Sequence, residues 1–396
     1  MYLPRKAAPF LRQMTAMGRA LPFLASLILY ACFSSPTPDG FGWAECVIAI
    51  LLLLAFSIPT PQKIPAPDAM LFIYGVSVPL IVGAVAGHDK AMIGRDLIAF
   101  SFLLLPLFFA RTVRGHPRAM TGAVLVIGVV FSLRALIPYQ DDLFHPSYWL
   151  GKPPRDLLYL ANSPEVLFAC LYMGGLGAWL VWSRRAVVVG LVLCGLAVLP
   201  LLAMSVMMQR AGIGCVLLAG LVLTGIGVWR RPARTAFMLG LGILAALPLL
   251  ALGQDILAQL IYKTQLVGFN SRREEWGAVL HLVDASPFSL LFGRGWGMTF
   301  ENPAVGNLSV NYTHSLFSAL LLKTGLIGLG LALLYIGVLI RGAWPALWRN
   351  PVLMLALLAP LGIGFLLYAS YKCLGFGLLL ILLANQRPAE NVEKNQ

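Results

Sequence analysis

A chain that returns again and again to apolar runs of about twenty residues has few ways to fold, because a run of that length crosses the hydrocarbon of a bilayer as one helix. Inside lipid every backbone N–H and C=O must be paired within the protein, so helix is the expected form of each run. The runs fall at residues 20–34, 43–58, 69–86, 95–110, 119–137, 161–182, 186–207, 211–229, 235–252, 314–340, 351–369 and 372–385. The predicted fold class is an all-α polytopic membrane protein, with about twelve transmembrane helices making one integral membrane domain over residues 1–396. Composition agrees: 59% of residues are hydrophobic and 11% charged, against about 45–50% and 25% in an ordinary soluble domain. A soluble enzyme, a disordered tail and a fibrous protein are excluded.

The 29 basic and 16 acidic residues leave a formal charge of +13, which in a membrane protein belongs in the connections rather than the spans. With the N-terminus in the cytoplasm, seventeen basic residues fall inside, among them Arg5, Lys6, Arg12, Arg19, Arg184, Arg185, Arg230 and Arg231. This obeys the positive-inside rule, and it puts the tail at 386–396 in the cytoplasm too. An uncleaved first span fits the N-terminus better than a signal peptide. The other twelve cations face outward: Lys90, Arg95, Arg134, Lys152, Arg155, Arg210, Lys263, Arg272, Arg273, Arg294, Lys323 and Lys372. The basic residues come in small clusters between apolar runs, so nucleic acid is not an expected partner. The six cysteines form no C-x-x-C pair and read as apolar fillers.

Two outer connections are long, 138–160 and 254–313, and long connections in compact proteins are functional or disordered. In the larger one, Trp276, Val279, Leu280 and Val283 recur at i, i+3, i+4 and i+7 after Ser271, the pattern of an amphipathic helix on or over the membrane surface. Arg272 heads its apolar face; Arg273 falls nearer Gly277 and His281. The following Gly293-Arg294-Gly295-Trp296-Gly297 is too rich in glycine for a helix and able to bring backbone amides close to a ligand. The tenth run meets Lys323-Thr324-Gly325 after nine residues. A lysine is too costly for the bilayer centre, so a broken or tilted helix is predicted, with its first part near the outer interface.

The spans otherwise carry almost no ionisable groups away from their ends, which argues against a pump or an ion-coupled transporter. Seven of the twelve outer cations are arginines, whose rigid fork of donors suits phosphate oxygens. Arg134 and Arg210 lie at outward ends of spans, Arg155 in the smaller loop, and Arg272, Arg273 and Arg294 in the larger. An anionic ligand at the outer leaflet, such as a lipid-linked diphosphate, is the natural partner. Lipid headgroups, or Asp141, Asp142, Glu274, Glu275 and Asp284, are alternative partners for any one arginine. Among the five histidines His314 is the best placed, opening a helix beside the long loop. Its ordinary pKa of about 6.5 makes it a base near neutrality, and arginines close by would disfavour imidazolium further. The adjacent acidic pairs Asp141-Asp142 and Glu274-Glu275 diverge by about 100° on a helix, so no catalytic metal and no other cofactor is expected.

Arg272-x-x-x-Trp276, Gly293-x-Gly295-x-Gly297, His314 at a helix head and Gly325-Leu-Ile-Gly328 together resemble the O-antigen ligase and polymerase superfamily, over roughly residues 270–330. The resemblance is stronger to the ligase than to the polymerase. It implies a GT-C type fold with the long loop in the periplasm. The implied activity is transfer of polysaccharide from an undecaprenyl-diphosphate carrier to a sugar hydroxyl of lipid A-core, at the periplasmic face of a bacterial inner membrane. By position, Arg210 in Gln209-Arg210-Ala211-Gly212 and Arg272 match the family's diphosphate-binding arginines, and His314 its essential histidine, acting as base or orienting the acceptor. Ser315 stands where the family often has Asn, and Arg273 competes with Arg272 for the loop position. Arg134, Arg155, Arg273 and Arg294 are further candidates for substrate binding. Polymerization of repeat units, protein O-glycosylation and, from another class, lipid-linked sugar flipping are the competing readings.

Overall fold

The computed structural model describes residues 7–36, 42–56, 65–113, 116–139, 155–237, 239–240 and 271–387. Most of the expected span at 235–252, the centre of the 138–160 loop, the first part of the 254–313 loop and nearly all of the tail lie outside these residues. The chain is an α-helical, membrane-embedded protein. In order the helices are α1 Ala7–Phe33, α2 Trp43–Ala55, α3 Ala66–Val85, α4 Lys90–Leu103, α5 Leu105–Val113, α6 Pro117–Leu136, α7 Arg155–Ala161, α8 Pro164–Ser183, α9 Val187–Val206, α10 Arg210–Arg230, α11 Arg272–Val283, α12 Pro287–Phe292, α13 Leu316–Arg349, α14 Pro351–Leu366 and α15 Leu374–Ala384. Six helices among the described residues are long and apolar enough to cross a membrane; the apolar parts of α1, α2, α14 and α15 are shorter.

Local chemistry explains the boundaries. Proline stands at the first turn of α3, α6, α8 and α14, where its missing N–H is no loss. Asp89 caps α4 by accepting from the amides of Ala91 and Met92, and Ser315 caps α13 by accepting from Ser318. The run expected at 95–110 is instead two helices, α4 and α5, parted at Leu104. Pro106 cannot donate to the carbonyl four residues back, and the buried Tyr335 hydroxyl donates to the neighbouring Leu103 carbonyl at 3.1 Å. α4 also begins earlier than expected, so that Lys90 belongs to a helix and not to a loop, and Arg95 lies within the helix rather than at its start.

At the centre lies α15, every residue of which is buried; α4, α5, α6, α8, α13 and α14 pack around it. A helix apolar on all sides suits that position. α8 and α9 form the most extensive helix pair, where Gly177 of α8 faces the carbonyl of Gly190 and leaves no room for a side chain. A small antiparallel hairpin, β1 Phe300–Asn302 with β2 Leu308–Val310, was not foreshadowed by the helical reading.

The interior corrects one expectation. Ionisable groups are not confined to helix ends: Asp96 lies midway along α4 and Lys323 within α13, both buried, while the buried Asp68 and Glu165 stand in the first turns of α3 and α8. The Lys323 ammonium pairs with Asp96 and donates to the Asn311 carbonyl. Charge is tolerated there because it is neutralised inside protein, not because the lysine reaches the headgroups.

Candidate functional site

The predicted helix after Ser271 is present as α11, but its buried face is led by an acid. Glu275, Val279 and Val283 are buried, Trp276 flanks them, and Leu280 is exposed. Glu275, with 4% of its side chain exposed, accepts from four directions. The backbone amide of His314 donates to Oε1 at 2.9 Å, and the His314 Nδ1 lies 3.1 Å from Oε2. Asn302 Nδ2 donates to Oε1 at 3.0 Å, and Arg272 Nη1 stands 3.4 Å from Oε2. Burial alone would raise the Glu275 carboxyl, but the hydrogen bonds from His314 and Asn302 outweigh it and hold the group below the usual carboxylate range.

Each partner arrives on its own element. α11 carries Arg272 and Glu275 one turn apart, facing together. The hairpin supplies Asn302, whose Nδ2 also donates to the Tyr312 carbonyl and whose Oδ1 accepts from Ala304. His314 comes from the segment just before α13. There Ser315 and Ser318 bond each other, Ser318 donates to Thr313 Oγ1 at 2.8 Å, and Tyr371 donates to the Thr313 carbonyl. Trp276 packs on Phe317, with ring centroids 5.5 Å apart, and joins α11 to the first turn of α13. The Tyr312 ring meets the His314 imidazole edge to face at 5.5 Å.

A carboxylate on Nδ1 fixes the imidazole tautomer with its proton on Nδ1, leaving the Nε2 lone pair to accept a proton. The charged group touching His314 is therefore an acid, where the sequence suggested arginines. Arg272, 28% exposed, reaches the cluster through Glu275. Burial lowers the Arg272 guanidinium from its ordinary value and the Glu275 carboxylate opposes the shift.

The glycine stretch departs from expectation. Gly293, Gly295 and Gly297 all take positive φ, yet their backbone serves the scaffold. The amides of Arg294 and Gly295 donate to the carbonyls of Leu322 and Lys323, that of Trp296 to Pro79, and that of Gly297 to Asp96 Oδ2 at 2.7 Å. The Trp296 indole donates to the Gly75 carbonyl at 2.8 Å, an acceptor that Pro79 leaves unfilled within α3. The broken tenth helix is present: α13 interrupts at Gly325, with φ 67° and ψ −169°. A Cβ on Gly325 would collide with the backbone of Leu291 and Gly293. The loop thus locks into the break, pinned by Lys323 and Asp96, and presents no row of amides to a ligand.

The remaining candidates are dispersed. Arg273 is exposed, so of the two neighbours Arg272 is the one in the cluster. Arg294 Nε donates to the Leu282 carbonyl at 3.1 Å and closes the end of α11. Arg134 Nη1 donates to the carbonyls of Ala31 and Ser34, both at 2.8 Å, and closes the end of α1. Arg210 opens α10, half-buried, and the main contacts of that helix are with α8, α9 and α14. Arg155 opens α7; its side chain is outside the described parts. Sequence reasoning missed Glu275 and Asn302 as site residues. The signal for Glu275 was present: an acid at i−4 and i−8 from two valines heads a buried stripe only when it has partners. No known family, curated protein or solved structure matches the chain.

Proposed function

We propose that this protein is a glycosyltransferase that moves a glycan from a polyprenyl-diphosphate carrier to a sugar hydroxyl, as an O-antigen ligase does, with His314 as general base. The observation that carries the reading is the Glu275 carboxylate gripping both the ring and the backbone amide of His314, with Arg272 on the same carboxylate. In this reaction the acceptor oxygen attacks the anomeric carbon, its proton passes to His314 Nε2, and the bond to the diphosphate breaks. The departing diphosphate carries away the electron pair. Arg272 stabilises it, with only Nη1 committed to Glu275 among the described residues. Arg210 is the second arginine that the resemblance assigns to the diphosphate. On this reading the cluster faces the periplasm and lipid A-core supplies the hydroxyl.

The experiment is transfer by the purified protein in nanodiscs, from an undecaprenyl-diphosphate-linked polymer to lipid A-core, followed by gel mobility of the product. Wild-type protein shifts the acceptor and His314→Ala does not. Near-normal transfer by His314→Ala would overturn the reading. An Arg272→Ala variant that loses transfer but still translocates carrier separates an enzyme from a flippase. In a strain lacking the gene, bare lipid A-core with polymer accumulating on the carrier marks a ligase; core bearing single repeat units marks a polymerase.

A further inference from the structure

We propose that Lys372 is a second cation of this site, placed to receive a phosphate oxyanion of the ligand beside His314. The inference rests on the anionic donor proposed above. Lys372 ends a 3-10 turn, Ala369–Lys372, between α14 and α15. Its ammonium lies 4.7 Å from the centroid of the Tyr312 ring and 6.0 Å from that of Tyr371. Tyr312 in turn touches the His314 imidazole, so one aromatic ring separates this ammonium from the histidine. Arg272 reaches the same histidine through Glu275. Two cations therefore approach one base through different neighbours, an arrangement suited to a ligand with two phosphoryl groups.

Among the described residues Lys372 has no carboxylate partner of its own: none lies within 4.0 Å of its ammonium. Asp96 is the acid whose charge acts on Lys372, but Lys323 occupies its Oδ1 and the Gly297 amide its Oδ2. Arg95, exposed on α4, adds a further positive charge nearby. Ring faces replace only part of the hydration an ammonium gives up. Burial, then repulsion from Lys323, push Lys372 well below the usual lysine range, and the charge of an arriving anion would oppose that shift. The ammonium borders a crevice lined by Asp96, Trp296, Leu316, Lys323 and Tyr371.

The test is binding of inorganic pyrophosphate to the full-length protein in phosphatidylcholine nanodiscs, measured by calorimetry over a range of salt. Losing a point charge at a phosphate should raise Kd at least about 10-fold in Lys372→Met, while Lys372→Arg stays within about 3-fold of wild type. Pyrophosphate should also protect Lys372 of the wild-type protein from reductive methylation, a readout that survives if Lys372→Met does not fold. Repeating the titration in discs containing phosphatidylglycerol separates the sources: competition assigns the oxyanion to a lipid headgroup, and no competition assigns it to the carrier. Wild-type affinity in Lys372→Met, with methylation unprotected, overturns the assignment while leaving the transfer reading intact. Absence of pyrophosphate binding by the wild type overturns the assignment, and the transfer reading then stands or falls on the transfer assay alone. Lost glycan transfer with Lys372-dependent binding retained overturns the transfer reading alone.

Discussion

Replacing Glu275 by glutamine exchanges one oxygen for an NH2 at constant volume and tests how His314 is held. Oε1 accepts from the His314 amide at 2.9 Å and from Asn302 at 3.0 Å, so the remaining carbonyl oxygen of the glutamine belongs there. The new NH2 then faces His314 Nδ1, which lies 3.1 Å from the oxygen it replaces. Two donors cannot share a hydrogen bond, so Nδ1 must become the acceptor and the ring proton moves to Nε2, removing the base. A comparable swap behind a catalytic histidine costs about 10⁴-fold in kcat. Here the His314 side chain is 15% exposed and water can stand in for part of the lost contact, so a loss of about 10²–10⁴-fold is expected, or roughly 2.7–5.5 kcal/mol of barrier. KM for the lipid-linked donor should change by less than about 3-fold, because Arg272 remains to bind it. The assay is initial rate of glycan transfer in nanodiscs against donor concentration, with thermal unfolding as the control for folding. A Glu275→Gln variant that keeps half the wild-type kcat would refute the reasoning, since the tautomer would then be set by something else.

The same carboxylate gives a pH prediction: its folded pKa lies below the ordinary value, so its contribution to stability is complete above an unfolded pKa of about 4.3 and lost as pH falls through the folded value. Acid unfolding of the wild type should therefore steepen below about pH 4.3 relative to Glu275→Gln, as followed by tryptophan fluorescence. Lys323→Met leaves Asp96 buried without its ammonium and should destabilise by about 3–5 kcal/mol, with much of the loss recovered in Lys323→Met/Asp96→Leu; equal unfolding midpoints for the single and double variants would count against the pair. Gly325→Ala places a Cβ against Leu291 and Gly293 at positive φ and should cost at least about 3 kcal/mol, seen as a lower unfolding temperature in detergent. Arg272→Ala should reduce transfer by about 10²-fold or more, and Arg273→Ala by less than about 3-fold, on the same gel assay. Comparable losses in the two variants would show that the exposed arginine matters equally.

The sequence by itself determined the solvent of this fold and much of its segmentation. Long apolar runs admit only helices in lipid, and the described helices follow them, with boundaries set by prolines and capping side chains that can be read locally. It also marked the break near Lys323-Thr324-Gly325, because a lysine in an apolar run demands a special place. Tertiary structure decided what those special residues serve. The glycine stretch before α13 reads as a ligand cradle, and only the carbonyls of Leu322, Lys323 and Pro79 and the Asp96 carboxylate, opposite the amides of Arg294, Gly295, Trp296 and Gly297, turn those amides inward. Glu275 reads in the sequence as one more surface acid beside two arginines. It becomes the holder of His314 because α11 lies against the start of α13 and a hairpin brings Asn302 to the same carboxylate. Hydrophobic periodicity specifies which face of a helix is buried, but not which polar group awaits it there. Buried polar residues choose partners by hydrogen-bond geometry across elements far apart in the chain, and that geometry exists only once the helices have packed.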